Sequence, residues 1–186
     1  IAYQFQISDG GASTQTGELH PLILDPESIV RTPDWAKHAT WYQIMVDRFR
    51  DADSSNNPEH LQGTGRSPKT HPWRSSWYDE KPYERRDGQT FWEWSMYERL
   101  YGGDFQGVIN KLDYLENLGI NAIYLNPVFE ATTAHKYNAK SYLHADDGYG
   151  VAGEFAESVE QEDLLDPSTW AVNESDQLFL RLIEEV

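Results

Sequence analysis

Cysteine is absent from the 186 residues, which excludes disulfides and thiolate-ligated metals. Basic residues are scarce: Lys and Arg number 15 against 31 Asp and Glu, for a net charge of −16. A chain of that sign repels phosphate backbones and anionic lipid headgroups, which argues against nucleic acid and membrane surfaces as partners. No uncharged apolar run approaches the ~20 residues that span a bilayer. Nor is the chain polar enough to be disordered, because 39% of it is hydrophobic and 13% aromatic. Its length suits one ordinary domain with a sizeable core. No internal repeat of fixed period is evident.

Both ends read as cut. Tyr3, Phe5 and Ile7 alternate with Ala2, Gln4 and Gln6, the period of a half-buried strand with nothing before it to pair with. SDGGAS follows as a turn cluster. At the other end Leu178, Phe179, Leu182, Ile183 and Val186 form a helical stripe. Ser175 or Asp176 stands where it can cap that helix, and no Gly, Asn or Pro stops it. The chain is therefore expected to be an internal piece of a longer protein. Residues 151–186 carry ten acidic groups against Arg181 alone, the pattern of a solvated loop or helix face.

A strand–helix–strand–helix order occupies the middle. TWYQIMV (40–46) is short, aromatic and apolar, as a buried strand is. After a long polar stretch, Phe105, Val108, Ile109, Leu112, Leu115 and Leu118 share one helical face. Asp104 is a good N-cap for that helix and Gly119 a good residue to end it. NAIYL (121–125) follows at once as a second buried strand. Two apolar strands alternating with amphipathic helices imply parallel βα units. Both strand-to-helix loops, 48–103 and 126–174, are long, whereas the helix-to-strand link is a residue or two. That asymmetry is expected of an α/β barrel, whose active site is built from the loops at the C-terminal ends of its strands. A doubly wound sheet is the alternative, although DRFRDADSSN after the first strand is no glycine-rich phosphate loop.

The first long loop holds two kinds of chemistry. Asp51, Asp53, Asn56 and Asn57 place four oxygen-bearing side chains in seven residues. A hard cation such as Ca²⁺ takes about six to eight oxygens from carboxylates, amides and carbonyls. The glycine and terminal glutamate of an EF-hand are missing, and a turn rich in Asp and Asn is also an ordinary solvated loop. The same loop carries Trp73, Trp77, Trp92 and Trp94 with Tyr78, Tyr83 and Tyr97. Aromatic faces beside carboxylates and amides can hold a pyranose ring, and they can equally be core or lid packing.

WYQIMVDRF, followed by YGGDFQGVINKLDYLENLGINAIYLNPVFEATTAHKY, resembles the opening third of the α-amylase family of glycoside hydrolases. The nearest branch is that of the neopullulanases, cyclomaltodextrinases and maltogenic amylases, and the resemblance runs from about Pro33 to Val186. It implies the first two βα units of a (β/α)8 TIM barrel with long βα loops. Ahead of them it implies the last strand or strands of an N-terminal β-sandwich in 1–24, a linker over 25–40, and truncated barrel over 41–186.

The resemblance also implies a calcium site. Asp51, Asp53, Asn56 and Asn57 match its Asn/Asp-rich turn, and the carbonyl of Gly102 and the carboxylate of Asp104 match its closing pair. Position 51 is Asp where the family commonly has Asn, and position 57 the reverse, so formal charge is kept. In His135-Lys136-Tyr137 the family's tyrosine stacks on the sugar at the cleavage subsite and its histidine bonds to it. Without that motif a lone His and Tyr in a loop are turn and packing residues. Directly afterwards the family's HKYD-T-x-DY becomes HKYNAKSY, with Asn138 and Ser141 in place of two carboxylates and Lys140 adding a positive charge.

The family's nucleophile, acid/base and assisting carboxylates sit on later strands, beyond Val186, so no catalytic residue is assigned. The implied parent is a retaining hydrolase of α-glucosidic bonds in starch, maltodextrin or cyclodextrin, and this chain alone is expected to be inactive. The alternatives are a non-catalytic amylase-fold binding or assembly subunit, an α-glucan transglycosylase, and an independent sugar- or calcium-binding module.

Overall fold

A computed structural model describes residues 2–21, 31–58, 70, 88–93, 96 and 99–186. The chain divides into two compact units, Ile1–His38 and Ala39–Val186.

In the first unit β1 (Ala2–Tyr3) pairs antiparallel with β4 (His20–Pro21), and β2 (Gln6–Asp9) pairs antiparallel with β3 (Ala12–Gln15). Gly10 and Gly11 both adopt positive φ, at 53° and 90°. That is the backbone a two-residue hairpin turn of matching twist requires. The single strand expected over 1–8 is thus interrupted at Gln4 and Phe5, and its partner follows it rather than precedes it. Tyr3, Phe5 and Ile7 are exposed, not half-buried. Alternation sets which face they share, but a two-stranded ribbon supplies no second layer to cover it. A short helix, α1 (Asp34–Lys37), ends the unit.

In the second unit β5 (Trp41–Ile44) and β6 (Ala122–Leu125) pair in parallel, with Trp41 opposite Ala122 and Ile44 opposite Leu125. Between them the expected helix is broken in two, α2 (Phe105–Ile109) and α3 (Leu112–Asn117), at Asn110 and Lys111. The apolar stripe survives the break. Phe105, Val108, Ile109 and Leu115 are buried and Leu112 packs against them, whereas Leu118, expected on the same face, is exposed. Gly119 at φ 88° closes α3: its N–H donates to Glu116 O (2.8 Å) and that of Ile120 to Leu115 O (3.0 Å). The two bonds form a Schellman cap, and Ile120 joins Leu115 in the core as such a cap favours.

That core gathers Ile44, Val46, Val128, Tyr149 and Leu182 around Phe105, whose ring lies 5.7 Å from Tyr149 and 5.2 Å from Phe179. Beyond β6 the second long loop contains a helix not foreseen, α4 (Glu154–Gln161), which buries no residue. The last helix, α5 (Glu174–Glu185), is capped two residues before Ser175 and three before Asp176, the caps expected. Asn173 is the N-cap, and Asp176 completes a capping box with it. Leu182 of its stripe is buried, while Ile183 and Val186 face outward. No described helix is long and apolar enough to cross a membrane.

Candidate functional site

Asp47, in the 3₁₀ turn Val46–Arg48 just after β5, folds the first loop onto α2. Its buried carboxylate accepts from the N–H groups of Tyr101 (3.0 Å) and Gly102 (3.2 Å) and pairs with Arg48 Nε at 3.0 Å. The backbone follows the same path, with Gly103 N donating to Asp47 O (3.0 Å) and Asp104 N to Arg50 O (3.1 Å). Burial pushes the Asp47 carboxyl above its ordinary range, against the lowering effect of Arg48 and those N–H donors.

Asp104 both caps and ties. One oxygen accepts from Gly107 N of α2 (2.5 Å), and the other from Ala52 N and Asp53 N at 2.8 Å each. It is wholly buried, and that burial raises its pKa. Asp53 is exposed and turned on its own loop, where Oδ1 accepts from Ser55 N (2.9 Å) and Ser55 Oγ (2.5 Å), which lowers its pKa. Asn57 Nδ2 donates to Asp51 Oδ2 at 2.9 Å, and Asn56 Nδ2 to Gly150 O at 2.9 Å. The other end of each amide differs: Asn56 Oδ1 and Asn57 Oδ1 are buried and accept no hydrogen bond. Asn57 Oδ1 abuts Gly102, which is at φ 73°.

Two desolvated carbonyl oxygens without donors are costly unless something electropositive meets them. With the Asp51 carboxylate they are oxygen donors of the kind a hard cation takes, so the chemistry of these residues fits Ca²⁺. Among the described residues no group of three or more His, Cys, Asp or Glu side chains could hold a metal by itself, so the amides are essential to this reading.

The second candidate lies in the loop after β6. His135 and Tyr137 present rings 5.8 Å apart and tilted by 39°, and Tyr137 is 61% exposed. Tyr137 N donates to His135 Nδ1 at 3.1 Å, and Thr133 Oγ1 lies 3.2 Å from the same nitrogen. An acceptor Nδ1 places the imidazole proton on Nε2, leaving one N–H donor beside an open aromatic face. Lys136 between them is buried, and its Nζ lies 2.5 Å from Asp146 Oδ2.

The turn at 146–150 joins the two candidates. Asp146 grips Lys136, Gly150 O receives Asn56, and Tyr149 O accepts from Phe105 N at 3.0 Å. Next to Asp146, Glu130 is buried with its pKa raised to about 7, by burial first and the Asp146 charge second, against Lys136 and Lys140. Further out, His144 is bridged between two carboxylates, Asp176 at Nδ1 and Glu162 at Nε2, each at 2.8 Å. Burial pushes the imidazole down, but the bonds and charges of Glu162 and Asp176 outweigh it and hold its pKa above 6.5. Glu162 is correspondingly lowered; its own burial opposes the shift, and the His144 bond drives it.

Asp47, Lys136, Glu130, His144 and Asp146 were not singled out as site residues from sequence. Lys136, inside the His-Lys-Tyr triplet, Glu130, inside the NPVFE stretch, and Asp47, before Arg48-Phe49, stand within motifs that point to them, whereas His144 and Asp146 stand within none. Of the loop aromatics, Trp92 is exposed and packs edge-on to Phe91 at 5.4 Å, whereas Trp73, Trp77, Trp94, Tyr78, Tyr83 and Tyr97 lie outside the described residues.

Residues 43–166 match the family model of the alpha amylase catalytic domain. An amylopullulanase of Thermoanaerobacter thermohydrosulfuricus is 36% identical over 161 residues, covering 83% of this chain and 10% of that protein. A cyclomaltodextrinase of a Bacillus species is 37% identical over 131 residues, 70% of this chain and 19% of its own. A solved structure, the ligand-free cyclic alpha-maltosyl-(1→6)-maltose hydrolase from Arthrobacter globiformis, is 29% identical with a TM-score of 0.49, covering 83% of this chain and 24% of that one. The chain thus spans between a tenth and a fifth of the length of these two curated relatives.

Proposed function

The chain belongs to the α-amylase catalytic-domain family, and from that premise we propose that the protein it is part of is a retaining glycoside hydrolase. Its substrates are α-glucosidic bonds in starch, maltodextrin or cyclodextrin. The observation that carries the reading is the open Tyr137 ring beside the Nε2–H of His135, on the loop that leaves the C-terminal end of β6. That is the end of a barrel strand where active sites are built. A sugar's C–H face can lie on such a ring while the imidazole donates to a hydroxyl. Stacking of this kind favours the flattened, positively charged state through which a glycoside is cleaved.

In this reading β5 and β6 are the first two strands of an eight-stranded TIM barrel, within 41–186. Residues 1–24 close an N-terminal β-sandwich and 25–40 link the two. The carboxylates that attack and protonate the glycosidic bond come from outside 1–186. Ca²⁺ is held by the side chains of Asp51, Asp53, Asn56, Asn57 and Asp104 with the carbonyl of Gly102. Its role is to neutralise the buried oxygens and lock the loop after β5 to the start of α2. The two amide oxygens that accept no hydrogen bond support the Asn56 and Asn57 part of this ligand set, whereas the Asp104 oxygens already accept from Gly107, Ala52 and Asp53 N–H groups and Asp53 Oδ1 accepts from Ser55.

The test is a substrate panel with the full-length protein. Turnover of maltoheptaose, β-cyclodextrin or pullulan, with none of β-linked cellohexaose, is expected. Failure to release reducing ends from any α-glucan overturns the proposal.

A further inference from the structure

We propose that Lys136 is a positioning residue, whose buried ammonium sets the His135 and Tyr137 rings side by side. The inference rests on the sugar-platform reading of that pair and deepens it. Lys136 is the one non-glycine residue among those described with positive φ, at 58°. L side chains avoid that backbone, and it persists only where surrounding contacts enforce it. Here they do. The Lys136 side chain is 8% exposed, its Nζ lies 2.5 Å from Asp146 Oδ2, and it stands 4.9 Å over the Tyr149 ring.

Asp146 is itself held by three further hydrogen bonds. Its Oδ2 also accepts from Ala131 N (3.1 Å) and its Oδ1 from Gly148 N (3.0 Å), while its own N–H donates to Val128 O (2.9 Å). The ammonium is thereby fastened to the segment that leaves β6. The consequence falls on the two neighbours. With residue 136 turned inward and left-handed, the chain doubles back so that Tyr137 N reaches His135 Nδ1 at 3.1 Å. The same bond fixes the imidazole tautomer. Glycine would adopt this backbone without strain. What lysine adds is the anchor, so the ion pair rather than the backbone alone is the positioning device.

The test uses the full-length enzyme with maltoheptaose, and the variants Lys136→Gly, Asp146→Asn and Tyr137→Ala, singly and combined. Lys136→Gly tolerates φ 58° but has no ammonium, and Asp146→Asn keeps the shape but not the charge. Each is expected to lower kcat/KM about tenfold, as a misplaced contact does. In the Tyr137→Ala background each is expected to have a smaller further effect, carried by His135 alone, because residues acting through one another are not additive. Equal fold-losses in both backgrounds, or none in the wild-type background, would overturn the inference.

If Tyr137→Ala alone leaves kcat/KM unchanged, the platform reading itself fails. If Tyr137→Ala is impaired and the effects add, only the role of Lys136 fails. The ¹⁵N shifts of the His135 ring give a readout independent of activity and available for any variant that folds. Wild type is expected to show unprotonated Nδ1 at neutral pH, and Asp146→Asn a mixture of tautomers. An unchanged spectrum in Asp146→Asn also contradicts the proposal.

Discussion

The side-chain oxygen of Asn57 lies 2.0 Å from where a Cβ on residue 102 would stand, so the two residues fit only because residue 102 is glycine. Its φ of 73° sets the same requirement independently. Gly102→Ala is therefore expected to destabilise the protein by roughly 1–3 kcal/mol, from backbone strain and displacement of the Asn57 amide. Chemical denaturation of the two proteins measures it. A difference within error of zero would show that the loop relaxes freely.

The same relationship bears on metal binding. Ca²⁺ bound only by the native state raises the thermal midpoint by mass action. Full-length protein is expected to melt higher with Ca²⁺ than with chelator, and Asn57→Ala and Asp53→Ala to lose that response. Identical wild-type melts in the two buffers would exclude the site.

Tyr137 offers the most direct handle on substrate contact. Tyr137→Ala is expected to lower kcat/KM for maltooligosaccharides by about 1–3 kcal/mol in the barrier, while Tyr137→Phe keeps most of it, because the ring face does the work. Near-wild-type kinetics in both would make Tyr137 a loop residue only.

His144 provides a dependence on pH. Its pKa is raised in the fold, so its stabilising contribution is full below the unfolded value of 6.5 and is lost as pH rises through the folded one. Glu162 is lowered, so its contribution is present above 4.5 and is lost as pH falls through its folded value. The bridge from the end of α4 to the start of α5 is thus strongest between those limits. The midpoint difference between wild type and His144→Ala is expected to be larger near about pH 5.5 than near about pH 9. A difference that does not change across that range would mean the imidazole is not charged in the bridge.

What the sequence makes legible is what is locally encoded. The strands around Tyr42 and Ile123, the stripe from Phe105 to Leu115 and the caps at Asp104 and Gly119 are each set by neighbours within a few residues. The Asn173 cap escaped because Ser175 and Asp176 are equally good capping types. Asp176 does contribute, as the third residue of the box and as a partner of His144. The buried ion pairs were illegible for a different reason. Lys136 meets Asp146 ten positions on, and His144 meets Asp176 thirty-two positions on. No periodicity announces which of 31 acidic side chains a buried cation will find. Residues 3, 5 and 7 show the converse: their alternation reads as a half-buried strand and says nothing of whether a second layer covers it, and all three are exposed.

The central claim is retaining hydrolysis of α-glucosidic bonds by the full-length protein. Proton NMR of maltoheptaose digestion in the first minutes, before mutarotation, tests it most directly. New reducing ends are expected to appear as the α-anomer; a β-anomeric first product, or no new reducing ends at all, would contradict retaining hydrolysis.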